Sequence, residues 1–200
     1  MTRGTWASPV ALLALCGALL LAGCGESDDD TASPAKPDAN PIDRAFVAAM
    51  VPHHVSAVEM AAIAKTEATS SFVKKLAASI AGSQMAEIAQ MRGIDTGLAK
   101  AGIAVGNLQM NNHEMGMSMS AEELRGAKPF DKKFIELMVP HHQGAVEMSK
   151  VELSDGKYPA LKALAQSIIA AQEKEIAAMR DHLGGAGGAS DDHMDDEHSG

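Results

Sequence analysis

One string of eleven residues occurs twice. Residues 50–60 read Met-Val-Pro-His-His-Val-Ser-Ala-Val-Glu-Met, and residues 138–148 read Met-Val-Pro-His-His-Gln-Gly-Ala-Val-Glu-Met. The offset of 88 residues also relates Asp43 and Phe46 to Asp131 and Phe134. Downstream it relates Leu76, Ser79, Ile80, Gln84, Glu87, Ile88, Met91 and Arg92 to Leu164, Ser167, Ile168, Gln172, Glu175, Ile176, Met179 and Arg180. The chain therefore contains one unit of about 50 residues in two copies, 43–92 and 131–180. Packing alone would match the apolar positions. It has no need of a His-His pair bracketed by methionines, twice.

Aromatic residues make up 3% of the chain, while Ala and Met are abundant. Ala and Met are good helix formers, whereas strand interiors favour β-branched and aromatic residues, so the chain is predicted to be all-α. The formal net charge is −9. Without a basic run such a chain has no grip on phosphates, and no nucleic-acid partner is expected.

The N-terminus reads as a targeting segment. Arg3 precedes an apolar stretch from Val10 to Leu21, which ends in Leu21-Ala22-Gly23-Cys24. This resembles a bacterial lipobox, with residues 1–23 as signal peptide and Cys24 as the lipidation site. The apolar stretch is short for a membrane span; an uncleaved anchor is the alternative. Cleavage would remove Cys16 and lipid would occupy Cys24, leaving no free thiol. The expected location is the extracytoplasmic face of a bacterial membrane, in the periplasm or on the cell surface.

Residues 24–40 are polar and rich in Asp and Pro and read as a disordered tether. Asn40-Pro41 supplies an N-cap and a first-turn Pro for helix 1, about 41–67. Ser70 or Ser71 caps helix 2, about 71–93. Pro129 opens helix 3, about 129–153, and Pro159 opens helix 4, about 159–183, with Gly184-Gly185 as its stop. Residues 94–128 form a Met-rich crossover in which Ser120-Ala-Glu-Glu123 looks like a capping box. Residues 184–200 are Gly-rich, then acidic with His, and read as a disordered tail. Two helical hairpins joined by one long connection give a four-helix bundle over 41–183.

On a helical wheel, Asp43, Phe46, Met50, His53, His54, Ala57, Met60 and Ala61 lie within about 80° of one line. The histidines thus share the stripe expected to face the core. Glu59 falls on the other side. Helix 2 has a stripe of Val73, Leu76, Ala77, Ile80, Gln84, Glu87 and Met91, which turns Glu87, and by repetition Glu175, inward. A buried carboxylate needs a partner; a facing His, Arg92 and Arg180 are the candidates. Pro52 and Pro140 precede the His pairs. Either each kinks a continuous helix, or each begins a new helix after a break.

Thioethers prefer Cu(I), and imidazole suits copper, zinc, iron and nickel. The duplicated Met-x-x-His-His pattern therefore marks Met50, His53, His54, Met60, Met138, His141, His142 and Met148 as metal candidates. The competing reading is a buried polar network that fixes hairpin docking. The crossover run Met110-Asn-Asn-His113-Glu-Met115-Gly-Met117-Ser-Met119 is a second candidate, for Cu(I) or Ag(I), with a plain flexible loop as the alternative.

These residues resemble a known family. The duplicated Met-Val-Pro-His-His…Ala-Val-Glu-Met motif, with Glu-Ile-x-x-Met-Arg closing each hairpin, is similar to the bacterial secreted family called domain of unknown function 305. The resemblance covers about residues 41–183. It implies a ferritin-like four-helix bundle, often secreted or lipid-anchored, and some members are periplasmic copper-binding proteins linked to copper tolerance. Many members carry a Trp soon after the closing Met, where this chain has Ile94 and His182.

Three functions compete. The leading expectation is an extracytoplasmic, lipid-anchored protein that binds or buffers copper, with another transition metal as the variant. The second is a ferritin-like metal-dependent enzyme. Those sites use Glu-x-x-His on two helices, a pattern this sequence lacks. The third is a non-metal envelope interaction module with a structural His network. Serine-nucleophile elbows, phosphate-binding glycine loops and thiol redox motifs are absent, so a binding protein rather than an enzyme is expected.

Overall fold

The computed structural model describes residues 36–187. The lipobox with Cys24, most of the tether and the tail beyond 187 lie outside the described residues. Among those described there are four long helices and no strand. They are α1 (Pro41–Glu67), α2 (Ser71–Lys100), α3 (Phe130–Asp155) and α4 (Pro159–Gly187), with a 3-10 turn at Ala121–Leu124 in the crossover. The protein is an all-α four-helix bundle. α1 packs on α2 and α3 on α4, and α1 and α3 form the central contact between the hairpins.

Side-chain caps start α1 and α2. Asn40 Oδ1 accepts from the N–H groups of Ile42 (2.9 Å) and Asp43 (3.3 Å), and Asp43 reaches back to the Asn40 N–H. Ser70 Oγ accepts from the Phe72 N–H at 3.1 Å to open α2. Each cap satisfies backbone donors that the first turn leaves free. Glu123 accepts from the Ser120 N–H at 3.2 Å and sets the crossover turn.

α2 runs to Lys100, past the expected end at 93. Its apolar stripe continues through Met91 and the partly buried Ile94 to the buried Leu98. Arg44 on α1 pins this extension, donating to Asp95 and to the Ile103 carbonyl, each at 2.7 Å. The helix stops at Gly102, whose φ of 75° is left-handed. The Ile103 N–H bonds the Leu98 carbonyl and the Gly102 N–H bonds the Ala99 carbonyl, both at 3.0 Å. That pairing satisfies the last carbonyls of the helix. Gly184-Gly185 does not stop α4, which extends to Gly187.

α1 and α3 pass through Pro52 and Pro140 without a break, so neither proline begins a new helix. Pro52 and Ala48, the residue whose carbonyl it leaves unbonded, are both exposed. On that face water can replace the lost bond, and the Pro is tolerated.

The core has two clusters. One holds Met60, Met138 and Met179 with Phe134, Ile80 and Leu124. The other holds Met50, Met91 and Met148 with Phe46, Leu98 and Ile168. Since α1 and α3 run antiparallel, each cluster takes one motif methionine from each repeat. Between the two lies the layer of histidines.

Candidate metal centre

All eight stripe residues of α1, from Asp43 to Ala61, are buried. His53, His54, His141 and His142 are hidden from solvent, none more than 1% exposed. The rings of His53 and His141, one from each repeat, stack with centroids 3.7 Å apart. His53 Nε2 donates to the His141 carbonyl at 2.9 Å, across the join between the hairpins.

The outer histidine of each pair turns toward its own hairpin partner. His54 Nε2 donates to Glu87 Oε2 at 2.8 Å, and His142 Nε2 donates to Glu175 Oε2 at 2.8 Å. Matching positions of the two repeats thus make matching bonds. The carboxylates are at the rim, their side chains 17% and 18% exposed, rather than fully inside. Arg92 and Arg180 are exposed, so the partners of the carboxylates are histidines. Glu59 and its counterpart Glu147 face solvent.

Burial holds the stacked rings of His53 and His141 neutral. His53 is held well below the ordinary histidine range, first by burial and then by the neighbouring His141, His54 and His142. His141 is lowered to about 3, by burial first and then by His142 and His54. Loss of water disfavours the imidazolium, and nearby rings add repulsion between any charges placed there.

Five ring nitrogens find no partner among the described residues: Nδ1 of His53, His54 and His142, and both nitrogens of His141. A neutral imidazole keeps one ring nitrogen bare, and such a lone pair suits a borderline or soft transition metal, so these residues fit copper. As the side chains stand, no three His, Cys, Asp or Glu groups among the described residues converge to hold an ion. The histidines offer donors rather than a closed coordination shell. The motif methionines Met50, Met60, Met138 and Met148 are wholly buried, in the clusters to either side.

The crossover methionines do not form one group. Met110 and Met115 pack against the cluster of Met50 and Met148, whereas Met119 packs against that of Met60 and Met138. Met117 is half-buried and His113 is exposed. The run is a built turn. The N–H groups of Met115 and Met117 bond the carbonyls of Asn111 and Asn112 at 3.0 and 2.8 Å. Its Met115–Gly116 backbone lies directly on α3 at Gly144, and Gly116 abuts the Pro140 and His141 carbonyls.

Sequence reasoning gave no site role to two buried amides. Gln84 and Gln172, 88 residues apart, sit inside the bundle with side-chain atoms unpartnered. Their signal was a polar residue recurring on an otherwise apolar stripe.

Such a site defines a helical bundle built around a hidden imidazole layer. The family described as domain of unknown function (DUF305) matches residues 43–183, and the chain belongs to that family. CopM in its Cu(I)-bound form is 32% identical, with a TM-score of 0.61, over 72% of this chain and 96% of that one. CopM has also been seen with Cu(II) and with Ag. A DUF305 protein from Streptomyces coelicolor, assigned as secreted, is 27% identical with a TM-score of 0.62, over 73% of this chain and 94% of that one. The uncharacterized protein L153 of Acanthamoeba polyphaga mimivirus is 42% identical over 53 residues, a match that spans about a third of that protein's length.

Proposed function

We propose that this is an extracytoplasmic copper-binding protein whose buried His53/His54/His141/His142 layer receives the ion. The carrying observation is the set of five buried ring nitrogens without a protein partner. An unsatisfied buried polar atom costs about 1–3 kcal/mol, and a bound ion would remove that cost for each nitrogen it takes. The copper-bound forms of the similar CopM point to the same metal. The buried thioethers of Met50, Met60, Met138 and Met148 are soft donors for Cu(I). The assignment of the Streptomyces relative as a secreted protein and the lipobox-like segment ending at Cys24 support a lipid-anchored protein outside the cytoplasmic membrane. We assign the site to binding or buffering of copper in copper tolerance rather than to catalysis.

The experiment is dialysis against Cu(II) in air and against Cu(I) without oxygen, followed by elemental analysis. Wild type is expected to retain copper, and a variant with His53, His54, His141 and His142 all replaced is expected to lose it. Equal retention by both would remove the copper reading. A structural role for the histidines is the second reading, favoured by the His53 bond to the His141 carbonyl that joins the hairpins.

A further inference from the structure

Each histidine with a hydrogen-bonded ring nitrogen uses the same one. His54 and His142 use Nε2 toward Glu87 and Glu175, and His53 uses Nε2 toward the His141 carbonyl. Carbonyl and carboxylate oxygens are acceptors, so the shared hydrogen sits on Nε2. A neutral imidazole has one N–H, which leaves the lone pair on Nδ1. All three Nδ1 atoms are buried and unpartnered.

We infer that Glu87 and Glu175 are positioning residues, which fix the outer histidines in the Nε2–H form so that Nδ1 is the atom offered to the ion. The inference rests on the copper reading. It follows from the 2.8 Å bonds made identically in both repeats and from the bare Nδ1 on the same rings. A ligating histidine gains basicity and a fixed ring orientation when its other nitrogen donates to a carboxylate. Among the described residues the two carboxylates are the anions bonded to the buried layer, and a buried cation requires nearby negative charge. His53 takes a carbonyl in the same role. His141 has neither, so its ring is the one whose tautomer is free to change.

A purely structural account of the same bonds is that they tie α1 to α2 and α3 to α4. The two accounts differ in what they say about Nδ1. Long-range ¹H–¹⁵N spectra of the metal-free protein labelled in histidine read the tautomer directly. Wild type is expected to show His54 and His142 as Nε2–H with a bare Nδ1. In Glu87→Leu/Glu175→Leu that preference is lost and Cu(II) affinity falls by about 10–100-fold, while circular dichroism shows the helices intact. Glu87→Gln/Glu175→Gln keeps a carbonyl acceptor, and should retain the tautomer and most of the affinity.

An Nδ1–H form in wild type would overturn the positioning role, whatever the protein binds. Wild-type Cu(II) affinity in the folded Leu variant would do the same while leaving the copper reading intact. Failure of wild type to retain copper, with the tautomers as stated, would remove the copper reading and the positioning role with it. Should the Leu variant not fold, the wild-type spectra and the Gln variant still decide the matter.

Discussion

The backbone of Met115 fills the space that a side chain on Gly144 would need. The first repeat has Ser56 at the matching position, so this notch exists on α3 alone. A methyl group at Gly144 would meet backbone, which cannot swing aside as a side-chain tip does. Gly144→Ala is therefore expected to lift the loop and to cost about 1–3 kcal/mol. Chemical denaturation gives the cost, and peroxide oxidation read by mass spectrometry should show Met115 reacting faster. An unchanged midpoint with unchanged Met115 protection would contradict the packing described.

His53→Leu/His141→Leu should melt at or above the wild-type temperature when metal-free. The substitutions remove three unpartnered buried nitrogens at the loss of one hydrogen bond, from His53 Nε2 to the His141 carbonyl, and exchanging unsatisfied buried polar atoms for apolar ones is commonly neutral or stabilising. Copper retention should fall in the same variant. His53→Ala/His141→Ala should melt lower than the Leu pair, because truncation leaves a cavity. A large loss of stability in the Leu pair would mean that the stacked rings hold the bundle together.

Met110→Leu/Met115→Leu/Met119→Leu separates packing from ligation in the crossover. Met-to-Leu swaps conserve volume and usually cost less than about 1.5 kcal/mol each. Deleting 110–119 removes side chains packed on both core clusters, and should lower the melting temperature well beyond the Leu variant. If the crossover thioethers take up soft ions, Ag(I) stoichiometry by elemental analysis drops in both.

Glu152 gives the pH dependence its direction. Burial first, and Asp43 second, push its carboxyl from the ordinary 4.5 up to about 8, against the pull of Lys162. The folded state holds this proton where the unfolded chain releases it. The contribution to stability is therefore full below about 4.5 and is lost as pH rises through about 8. Glu152→Gln should remove this dependence. Denaturation midpoints of wild type and variant should diverge in favour of Gln as pH rises from about 5 to about 9. Parallel profiles would show that Glu152 does not titrate in that range.

The sequence made the inner face of the bundle legible. The duplicated motif and the wheel put both histidines of each pair on the buried stripe, because a helix of known period presents its residues in a fixed order. What it hid depended on partners far along the chain. The expected end of helix 2 is about 93, yet Gly93 and Gly97 lie in α2 with open space around them, and Ile94 and Leu98 extend its packed stripe. The Met-rich run looked solvated because Gly, Ser and Asn separate its methionines; only the notch at Gly144 shows where it seats. His182 follows the closing Met and takes an aromatic place, its ring stacked on Phe72 with centroids 4.3 Å apart. Glu152 could not be foreseen, since the first repeat has Ala64 there and the acid it meets lies on α1.

Asp43 accepts from the N–H groups of Lys157 and Tyr158, at 2.9 and 2.7 Å, and Asp131 accepts from those of Thr69 and Ser70, at 3.1 and 2.8 Å. Each aspartate starts the first helix of one hairpin and closes the bend of the other, like two hands each holding the opposite wrist. Neither grip can form until chain segments more than 60 residues apart have met. An isolated hairpin would keep its aspartate and lose the amides that aspartate holds, while its own bend would go unheld. The four bend amides should therefore lose hydrogen-exchange protection together, and a chain cut in the crossover should recover them only when both halves are mixed.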